Sequence, residues 1–390
     1  MSVFRPLTRL RLRPPRHLHL TTHHHKPYST SSPSSPPPPP PPPLNIETYL
    51  CSAYIKFNSQ LPKLLPAILK PDKTDQLTVA LTSTNPSLCQ SHDEYEENDP
   101  LPQGYHMVYF EPPSSSYEAM GDGTDPYHFP GKPFERRMWT GGSVTFTPAY
   151  RSHMLLSEKT KAECIETVNP KATKFKGGDM VFVEINRDYY VASPQEETKT
   201  KVLSETRNLV FLRPLEKVSS PEAKGESTEP PTAALSDLTI KETAVLPPRK
   251  KLTLRRKPLF TYPLVPTQEL LSLFSSLTYN NHLIHLSTRY VRKEEGHKDT
   301  LVHGPLTLVL LLEGLTSHLY RTGQKGKWVR ELSYRNLAPL YRGDELRICG
   351  ARAVKRKGVE QKDGEEGWVV WIEDFEGGLA VKGTAVVMSK

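Results

Sequence analysis

Apolar residues recur at helical spacing in three parts of the chain. The first is residues 46–57, where the pattern predicts a short helix. The second follows Thr267, which can cap a helix whose apolar positions continue to Phe274. The third covers residues 305–318 and opens with Pro305, which suits the first turn of a helix. Because this third segment is apolar on all sides, its helix is expected to be enclosed by other structure.

Short runs of β-branched and aromatic residues between turn formers predict two groups of strands. The first group covers residues 143–147, 180–184, 189–192 and 209–212. The second group covers residues 328–334, 345–354, 367–374 and 378–388. Residues 90–135 are rich in Pro, Gly, Ser and Asp and are expected to be irregular. A short helix, a long buried helix and then antiparallel strands form an α+β pattern.

Residues 214–257 contain no aromatic residue and are dominated by Pro, Ser, Glu, Lys and Ala. This composition predicts a disordered linker or a long insertion. The basic runs Arg249–Lys251 and Arg255–Lys257 close the segment. A nucleic-acid patch is one interpretation of these runs, but a solvated linker end, or an edge facing an acidic partner, is preferred.

The distribution of charge changes what the composition implies. The 390-residue chain has a formal net charge of +8, from 51 Lys and Arg against 43 Asp and Glu. Six basic residues precede Glu47, the first acidic residue, so the rest of the chain is nearly neutral and nucleic acid is not a predicted partner. Residues 1–44 are rich in Arg, Ser and Thr, which predicts a mitochondrial matrix presequence followed by a polyproline spacer. A basic disordered tail is the alternative.

The sequence gives little support for a membrane-spanning protein, a disulfide-built protein or a metal-binding protein. No run approaches the ~18 apolar residues that a membrane-spanning helix needs. Four cysteines in the whole chain are too few for a disulfide-built scaffold. His282 and His285 have no Cys or carboxylate at metal-binding spacing, so neither a metal nor a cofactor is predicted.

Three polar motifs mark the C-terminal part of the chain: Leu277–His285, His303–Leu306 and Tyr334–Leu346. Considered without any related family, the histidines and asparagines of the first motif have two equally good explanations. They can serve catalysis, or they can form hydrogen bonds that satisfy the loop backbone. The second motif places backbone N–H groups at the start of a helix, where they can hold a developing oxyanion.

Together these motifs resemble the MaoC-like hot-dog hydratases and dehydratases. That family has a D-x-N-P-x-H loop, and Asn280 falls at its Asp position and His285 at its His position. His303-Gly304 matches the HG step at the start of the central helix, and Arg335 opens a segment similar to R-x-x-x-P-x-x-x-G-D. The sequence of the loop is most similar to the corresponding loop in one branch of the family. That branch contains the mitochondrial type 2 hydroxyacyl-thioester dehydratases and the mesaconyl-C4/itaconyl-CoA hydratases.

The N-terminal part carries its own resemblance to this branch, because residues 136–146 look like its R-R-M-W-x-G-G-x-x-F segment. The resemblance implies a double hot dog, in which each half is an antiparallel sheet around a central helix. The implied domains are residues 45–213 and 258–390, with residues 214–257 as the linker. Such a chain is a pseudo-dimer, and the sequence leaves open whether it also forms a homodimer.

The resemblance also implies roles for single residues. His285 is expected to be the acid/base, and the backbone N–H of Gly304 is expected to stabilise the thioester oxygen. Asn280 departs from the family, because an amide cannot ionise; it would position water, with His282 as possible support and His303 as a lesser candidate. The predicted substrate-binding residues are Trp139, Gly141, Gly142, Arg136, Arg137 and Arg335.

The predicted activity is the interconversion of 3-hydroxyacyl and trans-2-enoyl thioesters in mitochondrial fatty-acid synthesis. The acyl group would be carried by acyl carrier protein or by CoA, and the sequence does not choose between them. Hydration of a dicarboxylic ester, mesaconyl-C4-CoA or itaconyl-CoA, is an alternative that needs an Arg or Lys near the acyl end. An inactive acyl-binding protein is a second alternative, and a thioesterase is a weaker one because no carboxylate falls in the motif.

Overall fold

The computed structural model describes residues 45–89, 95–111, 119–176, 180–192, 198–215, 251–354 and 364–389. The predicted presequence, the polyproline spacer and most of the predicted linker therefore lie outside the described residues. In the described part of the chain, no helix is long and apolar enough to cross a membrane.

Ten strands form one antiparallel sheet, five from each half of the chain. The N-terminal half contributes β1 (Lys63–Leu69), β2 (Arg136–Phe146), β3 (Ser157–Lys176), β4 (Met180–Ala192) and β5 (Lys199–Leu212). The C-terminal half contributes β6 (Phe260–Leu264), β7 (Trp328–Asn336), β8 (Leu346–Arg352), β9 (Glu365–Glu373) and β10 (Leu379–Met388). The strands follow the order β1-β3-β4-β5-β2-β7-β10-β9-β8-β6. Each half thus has the same topology, and β2 and β7 meet where the halves join.

The helices and short turns lie between the strands. The α-helices are α1 (Ile46–Ser59), α2 (Pro71–Thr84), α3 (Tyr150–His153), α4 (Gln268–Leu277), α5 (Leu283–Leu286), α6 (Thr288–Lys293) and α7 (Gly304–Arg321). Two 3-10 turns cover Tyr105–Val108 and Pro126–His128. The predicted helices α1, α4 and α7 are confirmed, and the Thr267 hydroxyl accepts a hydrogen bond from the backbone N–H of Leu270, as the predicted cap requires.

The apolar helix α7 lies at the centre of the C-terminal half and packs on β7, β8, β9 and β2. Its side chains from Leu306 to Leu315 are buried without a break, as expected for a helix enclosed by other structure. Between β1 and β2 the N-terminal half carries α2 and the turn at residues 105–108. Helix α2 packs on this turn and on α4 of the C-terminal half. The two halves are therefore alike in their strands and different in their helices.

Strands β1 and β3 and helices α2 and α3 of the N-terminal half were not predicted. The inward positions of β3 carry Ala162, Cys164, Glu166 and Val168, so small and charged residues hide the usual apolar alternation. Helix α2 is rich in Thr, whose helix propensity is low. It buries Thr74, Leu77, Ala80 and Leu81, and tertiary packing decides its conformation.

The join between β2 and β7 depends on two neighbouring glycines. Gly141 has a φ of +131°, and a Cβ there would lie 2.2 Å from the carbonyl oxygen of Tyr334 on β7. A Cβ on Gly142 would lie 2.0 Å from the carbonyl oxygen of Thr206 on β5. Only glycine lets β2 approach both neighbouring strands so closely. Glycine is therefore needed at both positions for β2 to join its two neighbouring strands in one continuous sheet.

We expect Gly142→Ala to lower the free energy of unfolding by about 1–3 kcal/mol, because the added methyl overlaps backbone that cannot move freely. Denaturant unfolding followed by circular dichroism measures this change. Gly121→Ala is the matched control, since a Cβ at Gly121 would meet nothing within 4 Å. Equal stability of the two variants would contradict this account of the join.

Candidate active site

A cavity of about 360 Å³ opens where the two halves meet. The C-terminal half contributes Asn280, His282, His285 and Gly304 to its wall, and the N-terminal half contributes residues of β2 and β5. The cavity wall therefore contains all the predicted catalytic residues except His303. Neither half forms it alone.

The loop after α4 begins with Asn280, whose side chain is used to shape the loop. Its Oδ1 accepts a hydrogen bond from the backbone N–H of His282 at 3.1 Å. Its own N–H donates to the carbonyl of Ser275 at 2.9 Å. Such a local turn is common for asparagine, and it sets the direction of the two histidines that follow.

His285 lies on the short helix α5 and is buried. Its Nδ1 lies 2.8 Å from the carbonyl oxygen of Leu301, and Leu301 in turn donates its N–H to the carbonyl of Ile284 at 2.9 Å. Because a carbonyl oxygen only accepts, Nδ1 carries the hydrogen and Nε2 is left with a free lone pair. Burial lowers the pKa of His285 to about 4, so the ring is neutral at pH 7 and can act as a base.

His303 supports His285 from outside the cavity wall. The two rings stack with centroids 3.6 Å apart and planes 19° apart. The Nε2 of His303 lies 2.8 Å from the hydroxyl of Ser275. Burial and the neighbouring His285 hold the pKa of His303 well below its usual range, so its ring is also neutral. Stacking on a fixed neutral ring orients the plane of His285.

His282 is the third buried histidine of the site, and its ring centroid lies 5.7 Å from that of His285. Its Nε2 lies 3.5 Å from Oδ2 of Asp122, which comes from the N-terminal half. Burial, with His285 and Arg137 nearby, holds the pKa of His282 well below its usual range. The sequence did not point to Asp122, because it belongs to a Pro- and Gly-rich stretch far from the motif.

Gly304 begins α7 and lines the cavity. The first N–H groups of a helix have no partner within it and lie at the positive end of the helix dipole. A Cβ on Gly304 would lie 2.4 Å from the Cβ of Trp139, so the close approach of Trp139 requires glycine. Pro305 has no N–H, and Gly304 lines the cavity, so the N–H of Gly304 remains the predicted donor of this turn.

Trp139 on β2 is held by the C-terminal half. Its indole Nε1–H donates to the hydroxyl of Tyr334 at 2.8 Å. Its carbonyl oxygen accepts from the side-chain amide of Asn336 at 3.0 Å, and that residue's Oδ1 accepts from the hydroxyl of Thr307 on α7 at 3.1 Å. The wall that faces Gly304 is therefore fixed by bonds that cross the join.

The other predicted substrate-binding residues are dispersed. Arg137 lines the cavity. Arg136 points elsewhere and forms an ion pair with the buried carboxylate of Glu295 at 2.7 Å. Arg335 is exposed on β7, and Gly141 and Gly142 are not among the residues of the cavity wall. The structure brings Arg137 into the same cavity as His285. Substrate contacts of Arg136, Arg335 and the two glycines remain predictions, because these residues do not line that cavity.

Sequence reasoning missed a charged cluster on the N-terminal side of the cavity. It comprises Glu111, Glu166, Arg187 and Arg207. A signal was available, because Arg187 occupies an inward position in the strict alternation of β4. Among the described residues, no group of three or more His, Cys, Asp or Glu side chains is arranged to hold a metal.

Solved structures with the same architecture show the fold. A MaoC-like dehydratase from Phytophthora capsici is 14% identical and has a TM-score of 0.52, with 89% of this chain and all of that chain covered. A second MaoC-like dehydratase is 11% identical and has a TM-score of 0.53, with 86% of this chain and all of that chain covered. The predicted double hot dog of the α+β class is thereby confirmed. The fold is therefore that of the MaoC-like hot-dog proteins.

The sequence comparisons narrow this class. The sequence profile of the type 2 hydroxyacyl-thioester dehydratases matches residues 104–247 and 238–342. The chain therefore belongs to the hydroxyacyl-thioester dehydratase type 2 family. The mitochondrial hydroxyacyl-thioester dehydratase type 2 of Schizosaccharomyces pombe is 27% identical over 73% of this chain and 89% of its own length. The mesaconyl-C(4)-CoA hydratase of Chloroflexus aurantiacus is 27% identical over 63% of this chain and 72% of its own length.

Proposed function

We propose that the protein interconverts 3-hydroxyacyl and trans-2-enoyl thioesters by removing or adding water. The observation that carries this proposal is the neutral, oriented ring of His285, which shares one cavity with the N-terminal turn of α7. A base that can accept a proton and a donor for the thioester oxygen are the two groups that this reaction needs.

In the dehydration direction, the Nε2 of His285 takes the proton from C2 of the 3-hydroxyacyl group. Negative charge develops on the thioester oxygen, where the N–H of Gly304 and the dipole of α7 stabilise it. The C3–O bond then breaks, and the leaving hydroxyl takes the proton from His285 and departs as water. The products are the trans-2-enoyl thioester and water, and hydration is the reverse of these steps.

We expect His285→Ala to lower the rate of enoyl-thioester hydration by at least about a hundredfold, because a positioned acid/base contributes on that scale. Loss of the enoyl absorbance with crotonyl-CoA and with a crotonyl carrier protein measures the rate. His153→Ala is the control, since His153 lies on α3 and is exposed. Retained activity in His285→Ala would refute the role of this residue, and thioester binding without turnover by the wild type would favour an inactive binding protein.

The pH dependence of hydration should report the buried base. Burial lowers the pKa of His285 to about 4, so its competent neutral form persists as the pH falls below the usual histidine range. We expect kcat/KM to stay level from about pH 8 to about pH 5 and to fall only near pH 4, whereas an ordinary histidine would titrate near ~6.5. Circular dichroism at each pH confirms that the protein is folded. An acid limb near ~6.5 would contradict the assignment.

The cellular setting is proposed from two observations. Residues 1–44 have the composition of a presequence, and one relative is named as mitochondrial. We place the protein in the mitochondrial matrix, in fatty-acid synthesis, with the acyl group on acyl carrier protein or CoA.

A second candidate substrate is a CoA ester with a free carboxylate, and Arg137 is the observation that favours it. Arg187 is neutralised by ion pairs to Glu111 and Glu166. In contrast, the guanidinium of Arg137 forms no ion pair with any described carboxylate and donates to the backbone carbonyl of Asp125 at 3.1 Å. Burial lowers the pKa of Arg137 to about 10, against the raising effect of the nearby carboxylates of Asp122 and Asp125. An anionic group in the cavity would stabilise its charge further.

This second candidate predicts that Arg137→Gln raises the KM for mesaconyl-C4-CoA about tenfold or more and leaves the KM for crotonyl-CoA within about threefold, since one charged hydrogen bond is lost only for the dicarboxylic ester. Parallel assays of both esters measure the difference. Arg289→Gln, an exposed arginine on α6, is the control. Equal changes for the two esters would remove the reason for this candidate.

A further inference from the structure

Asp122 supplies the site with a carboxylate that the catalytic loop itself lacks. The loop carries Asn280 where the wider family has Asp, and the amide of Asn280 is occupied with the backbone of His282. Asp122 approaches from the N-terminal half, near the start of the described segment 119–176.

The stretch that carries Asp122 is locked against the catalytic loop. The carbonyl oxygen of Asp122 accepts the N–H of Leu283 at 2.9 Å. The next residue, Gly123, has a φ of +84°, and a Cβ there would lie 2.1 Å from the carbonyl oxygen of Asn281. Since no other residue fits this contact, the backbone places Asp122 beside His282 with little freedom.

The two carboxylate oxygens of Asp122 have different surroundings. Oδ1 accepts from the backbone N–H of Thr124 at 3.0 Å and from the hydroxyl of the same residue. Oδ2 is enclosed and has no hydrogen bond in the described part of the chain. The Nε2 of His282 is enclosed and without a hydrogen bond in the same way, and the two atoms face each other at 3.5 Å.

The facing atoms determine where the hydrogen of His282 lies. The ring is neutral at pH 7, because its pKa is held low by burial and by the neighbouring His285 and Arg137, so it carries a single N–H. With the hydrogen on Nε2, the ring donates to the carboxylate and both enclosed atoms have a partner. With the hydrogen on Nδ1, an enclosed lone pair would face an enclosed carboxylate, which is strongly unfavourable.

We propose that Asp122 is a positioning residue that holds His282 as its Nε2–H tautomer. The Nδ1 of His282, a residue of the cavity wall, then accepts a hydrogen bond from the water that adds to C3. That water is held between His282 and the base His285. This role rests on the proposed hydration reaction, and it explains how the site works with an amide at Asn280. Contact of this water with one ring nitrogen of each histidine fixes its direction of attack on C3, as fast reaction requires of positioned groups.

The tautomer of His282 can be measured directly on the wild-type full chain. Two-bond proton–nitrogen correlation spectra of protein labelled with nitrogen-15 histidine show which ring nitrogen carries the hydrogen. His282→Gln assigns the signal by its loss. We expect hydrogen on Nε2 of His282 in the wild type and a shift of this hydrogen toward Nδ1 in Asp122→Asn. Hydrogen on Nδ1 in the wild type would overturn the inference.

Kinetics give the second readout. We expect Asp122→Asn to lower kcat for crotonyl-thioester hydration about 10- to 100-fold, with KM within about threefold, the scale of losing a partner that orients a functional histidine. Asp188→Asn is the matched control, because Asp188 forms a half-exposed ion pair with Lys201. A kcat of Asp122→Asn within about twofold of wild type would also overturn the inference. A wild type that hydrates no thioester refutes the proposed function instead, and the spectra then still decide the tautomer.

Discussion

The edge-to-edge pairing of β2 with β7 is the constraint on which the rest of the structure depends. It turns two five-stranded sheets into one sheet of ten strands. The pairing is possible because Gly141 and Gly142 leave room for the backbones of β7 and β5. The same pairing brings Trp139 onto Gly304, and so the wall of the cavity is set by the join between the halves. A site that needs both halves is sensitive to any change that shifts the register of the β2–β7 pairing.

Burial gives the site its chemistry once the join has formed. Three histidines, His282, His285 and His303, lie together in the interior, and desolvation keeps each ring neutral. Neutral rings can accept protons, and for two of the three histidines the facing atom decides which ring nitrogen carries the hydrogen. For His285 that atom is the carbonyl oxygen of Leu301. For His282 it is the carboxylate of Asp122, and the N-terminal half thus contributes to the proton chemistry of the C-terminal half.

The parts of the site that could be predicted are those encoded within single stretches of sequence. Asn280, His282 and His285 keep the spacing of one loop, and Pro305 with the apolar run behind it marks the start of a helix. Asp122, Arg187 and the ion pairs of the cavity wall depend on contacts between segments far apart in the chain, which spacing alone does not encode. The pair Gly141-Gly142 was recognised as a motif, but its reason is a strand contact that only the folded backbone shows. Strand β3 was missed because charged residues such as Glu166 occupy its inward face.

The most direct test of the central claim is a crystal structure of the full chain with a bound, unreactive analogue of a 3-hydroxyacyl thioester. We expect the carbonyl oxygen to contact the N–H of Gly304, and C2 to lie about 3.5 Å from the Nε2 of His285. We also expect the acyl group to pass Trp139 into the cavity shared by both halves. An acyl group bound away from His285, or held by one half alone, would contradict the claim that the join between the halves creates the active site.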